Sequence, residues 1–499
     1  MTKIPSKFTR RQIMAGAATA LVVGGMGGAQ AGSDYPFTLG IASGDPFPDS
    51  VVLWTRLAPD PLNGGGMPPK PQIVHWEMAT DSGFKNIVQT GKAEAHPAWG
   101  HSVHVDVKGL DPARTYWYRF HTSKFTSPIG KTRTAPSPFS SPEQIRFAFA
   151  SCQNYEQGYY TAHRHMSQED LDFVIFLGDY IYEQGAWPIY PRKHNSSEVF
   201  SVDDYRNRYA LYKLDQDLQA CHAAHPWIVT WDDHEVENNY AGLISSKKFA
   251  EIPFTKRREN AYKAYYEHMP LRVMSQPDGL KMRLYRHFVF GDLIDMNVLD
   301  TRQFRTPLPE SKAAMQNLSA TILGPAQEAW LYRRLGRTHA IWNVLAQQVI
   351  MADMVAGHNM FDKWSGYQAT RKRLFHVLGE NKVPNPIVLS GDNHRNWVAD
   401  LLVDFDVPDS QIIGTEFIGT SISSNGDGRD MTRKGQKRLK KNPHFKFFNY
   451  QRGYVRAEVS PKYWRSDFRV VDWVSTPDAN IKTRASFIVE RGKPGAQRL

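Results

Sequence analysis

Four short apolar runs in this sequence each end in side chains that bind metal ions. Phe147-Ala-Phe-Ala-Ser-Cys152 ends in a thiol, and Phe173-Val-Ile-Phe-Leu177 leads through Gly178 to Asp179, Tyr180 and Tyr182. Trp227-Ile-Val-Thr-Trp-Asp-Asp-His-Glu235 ends in three carboxylates and an imidazole, and Ile387-Val-Leu-Ser-Gly-Asp-Asn-His394 in one of each. Runs this short, rich in β-branched and aromatic residues and stopped by Gly or Asp, predict buried strands rather than helices. In an open α/β sheet, ligands sit just beyond the carboxyl ends of the strands. One Asp after one strand is ordinary turn chemistry. Four acid-, His- or Cys-bearing strand ends in one domain predict a single metal centre.

The residue types narrow the chemistry. Asp179 is the first polar residue beyond its strand and is placed to bridge two ions, the arrangement in which cations about 3.5–4 Å apart clamp a phosphoryl group. Tyr182 lies three residues further on, and a phenolate favours a hard trivalent ion such as Fe(III). Cys152 would add a thiolate, which suits iron or zinc better than calcium or magnesium. Tyr180 reads as a packing residue. Asp232, Asp233, His234 and Glu235 are consecutive, so they cannot all face one ion unless the chain turns, and the choice between Asp232 and Asp233 stays open. Asn238 and Asn239 follow as neutral ligands. Asp392 and His394, two residues apart, share a face at a strand end.

The cationic candidates come from three places. Arg257 and Arg258 are adjacent at a helix start, and one of them would clamp phosphate oxygens in bidentate fashion. Asp300-Thr-Arg302 either pairs internally or offers Arg302 to the site. From 429 to 441 seven Lys and Arg stand against one acid, Asp430, a run that acts as a lid, a polyanion-binding surface or a solvated loop.

The chain has 499 residues, enough for two or three domains with a substantial core. Its two cysteines exclude a disulfide framework and leave one Cys152–Cys221 bond as an alternative to ligation. The net charge is +11, with Lys3, Lys7, Arg10 and Arg11 in the first eleven residues. Thr9-Arg-Arg-Gln-Ile-Met14, the small apolar run that follows and Ala29-Gln-Ala31 form a signal peptide over 1–31. Its paired arginines point to the twin-arginine machinery and hence to a periplasmic or secreted protein. The run is too short and too rich in Gly and Ala for a stable membrane span, and no later segment looks transmembrane.

Residues 34–136 read as strands separated by Gly, Pro and Asp turns. Leu110-Asp-Pro-Ala-Arg-Thr-Tyr-Trp-Tyr118 resembles the tyrosine corner of fibronectin III-like sandwiches, so this region is expected to be an N-terminal β-sandwich of about 100 residues. The Pro/Ser stretch Thr134–Pro142 marks the expected boundary. From 143 to 499 strands alternate with helices, including helices over 203–219 and 256–268, giving an α/β domain with mixed sheets and a C-terminal tail.

With these residues on the page, the chain resembles the alkaline phosphatase D (PhoD-like) metallophosphatases over most of its length. The resemblance rests on Ala150-Ser-Cys-Gln153, Gly178-Asp-Tyr-Ile-Tyr182, Trp231-Asp-Asp-His-Glu-Val-Glu-Asn-Asn239, Arg258-Glu-Asn-Ala-Tyr262, Ser390-Gly-Asp-Asn-His394 and Asn442-Pro-His-Phe-Lys-Phe-Phe-Asn449. Purple acid phosphatases look like more distant relatives. Cys152 stands where their first Asp would be, Asp232-Asp-His234 replaces Gly-Asn-His, and Asp392 replaces a His. The resemblance implies an α/β metallophosphatase sandwich behind the N-terminal domain and a secreted phosphoester hydrolase working with Fe(III) and one or two Ca(II), other divalent metals being alternatives. It implies iron on Cys152, Asp179, Tyr182 and His394. Calcium would take Asp179, Asp392 and one of Asp232, Asp233 or Asn238, with Asn238 also at the substrate. Arg258 would hold phosphate, and His234 would protonate the leaving oxygen or bind the phosphate. Small-molecule, polymeric or lipid phosphate esters are the implied substrates, with nucleic acid only as one substrate among them. The alternatives are a phospholipase D-like diesterase, a Cys152 thiol enzyme and a non-catalytic secreted metal-binding protein.

Overall fold

The structure is a computed structural model that describes residues 34–499 except 248–250, 355–359 and 408. The expected signal peptide lies outside the described residues. Residues Tyr35–Leu499 form one compact unit.

The buried runs are strands, and their side-chain alternation decides how the layers stack. In Phe173–Leu177 every residue is buried. Phe173, Ile175 and Leu177 point into one core, and Val174 and Phe176 into another. A continuous apolar run with period-two alternation is what a strand covered on both faces requires. The first core lies between two sheets. It joins Phe147, Phe149 and Ile228 from one sheet to Phe288, Val344, Ala346, Ile387, Leu389 and Phe417 from the other. Outside the first sheet pack helices Thr161–Ser167, Val202–Lys213, Gln216–Ala224 and Phe254–His268. Outside the second pack Gly324–Leu335 and Gln368–Glu380, against Leu345, Val388 and Trp397. The result is a helix–sheet–sheet–helix sandwich.

The larger sheet has ten strands and the facing one seven, and both are mixed. In the larger sheet Ile145–Ala150, Phe173–Leu177 and Pro226–Thr230 run parallel, with Ala150 opposite Phe176 and Leu177 opposite Thr230. Pro386–Ser390 is parallel to its neighbours in the seven-stranded sheet. The register therefore brings the three carboxyl ends in the larger sheet to one level, and the fourth end comes from the facing sheet.

Three features are set by pairing and capping that local pattern does not show. Residues 34–136 are joined to the rest of the chain through a shared sheet. A four-stranded sheet, Ile87–Ala95, Gln72–Ala79, Thr115–His121 and Gly130–Arg133, does pack on Ile41–Phe47, Ser50–Arg56 and Ser102–Lys108. Those last three strands, however, continue the ten-stranded sheet, since Ser43 and Gly44 pair in parallel with Pro226 and Trp227. Within this region the Tyr116 hydroxyl accepts the Asp111 N–H at 2.9 Å. In the C-terminal segment, where a tail is expected, Ile481–Glu490 and Lys493–Arg498 form strands that complete the other edge of the same sheet. The helix expected over 203–219 is two helices. Asp215 accepts from the N–H groups of Asp217 and Leu218 and so caps a new start, which a continuous helix would forbid.

Candidate active site

Each strand end turns sharply before it presents its side chain. Cys152, Asp179, Asp392 and His394 all have positive φ, between 55° and 59°. Non-glycine residues adopt this region rarely, and such residues cluster where the surroundings over-determine the backbone. Gly178 shows why one position must be glycine. Its φ is 102°, and a Cβ there would lie 2.4 Å from the Asp232 nitrogen. The ends of two neighbouring strands meet at that point. Gly178→Ala is therefore expected to cost roughly 3 kcal/mol or more of stability, from left-handed strain plus separation of the strand ends. Denaturant unfolding checks this, and a loss below about 1 kcal/mol would show that the two ends need not touch.

One carboxylate ties the turns together. Glu235 Oε2 accepts from the N–H groups of Asp179 (3.1 Å) and Asp232 (2.9 Å), and Oε1 from that of Tyr180 (2.6 Å). A buried carboxylate taking three backbone donors fixes the turns that aim Asp179.

The side chains converge in two overlapping groups. Ligand-type atoms of Cys152, Asp179 and His394 lie within 4.8 Å of one another, and so do those of Asp179, Asp233 and His234. Asp179 belongs to both. Its Oδ2 accepts from the Tyr182 hydroxyl at 3.0 Å, while its Oδ1 is buried with no hydrogen-bond partner. Tyr182 Oη also lies 3.3 Å from His394 Nε2 and accepts from Ser424 Oγ at 2.7 Å. His394 turns Nδ1 to the Asn425 amide at 2.8 Å. Asp392 and Asn238 line the same cavity, and Asp392 Oδ2 lies 3.5 Å from Lys363 Nζ. His234 stacks on Tyr182 with centroids 4.1 Å apart, and its Nδ1 is 2.7 Å from Glu183 Oε2.

The electrostatics describe a knot of groups short of positive charge. Burial pushes Asp179 well above the usual carboxylate range, and Asp233, Glu235 and Asp392 push it further against the pull of His234. Burial likewise raises the Cys152 thiol and the Tyr182 phenol, with Asp179 adding to both. For His234 burial works downward, but Glu183, Asp179 and Asp233 outweigh it and hold the imidazole protonated well above its ordinary range. A cation at Asp179 would satisfy the orphan oxygen and reverse these shifts. Thiolate, phenolate and imidazole on one side of Asp179 and carboxylates on the other match one softer and one harder ion. The residues present thus fit a two-metal group.

Two site expectations are corrected. Arg258 does not line the cavity. It is buried, with its guanidinium donating to the carbonyls of Gly242 (2.7 Å) and Leu280 (3.1 Å) and lying over Tyr262. It closes loop carbonyls, a use that sequence spacing does not reveal. Asp232 is not at the cavity either. Arg302 takes its Oδ1 through Nε, takes Asp362 through both terminal nitrogens and lies 3.6 Å from Asp233 Oδ2, and of the two aspartates Asp233 is the one in the lining. Cys152 and Cys221 are both free thiols. Glu183, Ser424, Asn425 and Lys363 were missed. Glu183 directly follows Tyr182 and was open to notice. The other three sit in stretches with no pattern, and only the fold brings them in.

Comparison with known proteins places these motifs in context. Residues 147–468 match the model of the PhoD-like phosphatase family, and residues 22–136 match that of the PhoD-like phosphatase N-terminal domain. The chain is 50% identical over 487 residues to alkaline phosphatase D of Bacillus subtilis, covering 94% of this chain and 83% of the relative. The solved structure of PhoD superposes with a TM-score of 0.91 at 50% identity, covering 94% of this chain and 92% of that one. A purple acid phosphatase from yellow lupin seeds shares the fold at 12% identity, with a TM-score of 0.57 over 92% of this chain and 74% of its own.

Proposed function

The chain belongs to the PhoD-like phosphatase family and is a phosphoric ester hydrolase, and from that premise we propose that it works as an alkaline phosphatase or phosphodiesterase with an Fe(III)–Ca(II) centre, after export through the twin-arginine route. One observation carries the metal reading. Asp179 has one oxygen buried without a partner and belongs at once to the Cys152–His394 group and to the Asp233–His234 group. In this reading iron is held by Cys152, Asp179, Tyr182 and His394. Calcium is held by Asp179, Asp392 and Asp233, with Asn238 completing the set or meeting the substrate. Bound there, the ions supply positive charge to a phosphoryl group and lower the pKa of a water at the site.

The chain's own residues do the rest. Ser424 holds the Tyr182 oxygen, Asn425 orients His394, and Glu235 fixes the turn under Asp179. Such outer contacts set ligand orientation and basicity. Glu183 binds His234 at Nδ1, which leaves Nε2 as the nitrogen that donates a proton to the departing oxygen. Lys363 lines the cavity beside Asp392 and offsets charge on the substrate's oxygens, the role that sequence reading gave to Arg258.

The test is elemental and spectroscopic as well as kinetic. Purified protein is expected to contain iron and calcium and to show a visible tyrosinate-to-iron absorption band. EGTA should remove calcium and activity, and added calcium should restore both. Protein that hydrolyses p-nitrophenyl phosphate and its bis ester at full rate in EGTA, with no iron, would overturn the centre.

A further inference from the structure

We propose that the basic part of the cavity lining, built by Arg395, Arg429, Arg433, Lys434 and Arg438, is a subsite for a second phosphate group of the same substrate molecule. This rests on the reading that the Asp179 end of the cavity holds the phosphoryl group that reacts. The cavity is large, about 870 Å³, and its lining carries both signs of charge. Asp179, Asp233 and Asp392 are its carboxylates, and the five basic residues above share the same lining.

Three observations set this group apart from a solvated basic run. First, it is assembled from two places. Arg395 follows His394, whereas Lys434 and Arg438 lie one helical turn apart on Arg433–Lys441. The helix is seated firmly. Thr432 caps it by accepting from the Gly435 N–H, and Gly435 lies flat on Phe448, where a Cβ would come within 2.5 Å of the ring. Lys437, Lys440 and Lys441, from the same run, do not line the cavity. Second, the cations have no ion-pair partner. Among the described residues no ion pair involves Arg395, Arg429, Arg433, Lys434 or Arg438. The one acid of the run, Asp430, is taken by Arg484 at 2.6 and 2.7 Å and by Asn449. Third, Arg395 and Arg438 are only partly exposed and close enough to repel. Burial, then Arg395, lowers the Arg438 guanidinium from its ordinary range. Arg395 makes one hydrogen bond, to the Asn393 carbonyl, and otherwise lies over Tyr450 at 4.8 Å. Two half-buried guanidiniums without an ion-pair partner are costly unless an anion joins them, and their planar forks match phosphate oxygens.

The substrate class that fits is one with at least two phosphates on a connecting chain, one reacting and one held. The test uses full-length metal-loaded enzyme. Inhibition of p-nitrophenyl phosphate hydrolysis is measured for alkyl monophosphates, for α,ω-alkane bisphosphates of increasing length, and for inorganic phosphate. At one chain length the bisphosphate should bind at least about 10-fold more tightly than the monophosphate. In the double variant Arg395→Met, Arg438→Met that ratio should fall to near one, and Arg438→Lys should keep part of it. The proposal is overturned if no length gains over the monophosphate, or if the gain survives in the double variant. It is also overturned if inorganic phosphate loses as much affinity as the bisphosphate, because the group would then serve the free ion. Absence of any turnover in the wild type would instead break the hydrolytic reading. Calorimetric titration of the same bisphosphates would still decide the subsite.

Discussion

Asp179→Asn is expected to lose iron and calcium together and to lower kcat/KM by at least about 10⁴-fold, the scale on which metal-assisted sites act. The argument is geometric. Among the described residues no other side chain belongs to both ligand groups, and Asp179 Oδ1 is buried without a hydrogen-bond partner. Asparagine keeps the shape and tolerates the left-handed backbone at φ 57°, and the Glu235 bond to the 179 N–H does not depend on the side chain. Folding should therefore survive, with a melting temperature equal to or above that of metal-free wild type, since a buried carboxylate raised by desolvation is removed. Elemental analysis and turnover are read on the same sample. A variant with its full metal content and near-normal turnover would end the bridging assignment, and one that fails to fold would make Asp179 a structural residue.

Loss of His234 is expected to be the second largest effect, about 10²–10⁴-fold in kcat for alkyl esters, the range for a positioned general acid. The loss should shrink for p-nitrophenyl esters, whose leaving oxygen needs no proton. Glu183→Gln separates positioning from charge. It keeps an acceptor for Nδ1 but removes the negative charge that holds the imidazole up. The sign follows directly. His234 is the acid while protonated, so activity falls as pH rises through its pKa, and a lower pKa moves that alkaline limb to lower pH. A limb that stays in place in Glu183→Gln, with equal losses for both leaving groups in His234→Ala, would assign His234 to binding alone.

Much of the centre was legible because a strand's carboxyl end is a local event. Apolar runs of five or six residues ending in Gly-Asp or Asp-Asp-His are written contiguously, and the two-residue period forces their fate. Cys152, Asp179, Tyr182, Asp233, His234 and His394 could be nominated from that pattern. Arg258 could not be judged in the same way. An arginine at a helix start looks alike whether it meets substrate or backbone carbonyls, and only the loops at Gly242 and Leu280 decide. The choice between Asp232 and Asp233 was likewise closed to sequence, because it is made by Arg302 from seventy residues away.

The domain division shows the same limit. Local patterning marked strands over 34–136 correctly as strands, but pairing is a long-range matter. The hydrogen bonds from Ser43 and Gly44 to the strand at Pro226 join that region to the main sheet, and a Pro/Ser linker in the sequence says nothing about partners. The basic run at 429–441 was visible as charge, yet its meaning came from the fold. Gly435 lets the helix lie on Phe448, and Lys434 and Arg438 then share the cavity lining with Arg395.

The sequence by itself determined which residues could bind a metal and at which strand ends they would stand, because alternation and turn chemistry act over a few neighbouring residues. The tertiary structure alone decided which of them share an ion-sized space, which arginines are spent on backbone and buried acids, and which cations remain for substrate. Those outcomes depend on contacts between segments tens to hundreds of residues apart, where burial makes every unpaired charge costly and so assigns each one a partner.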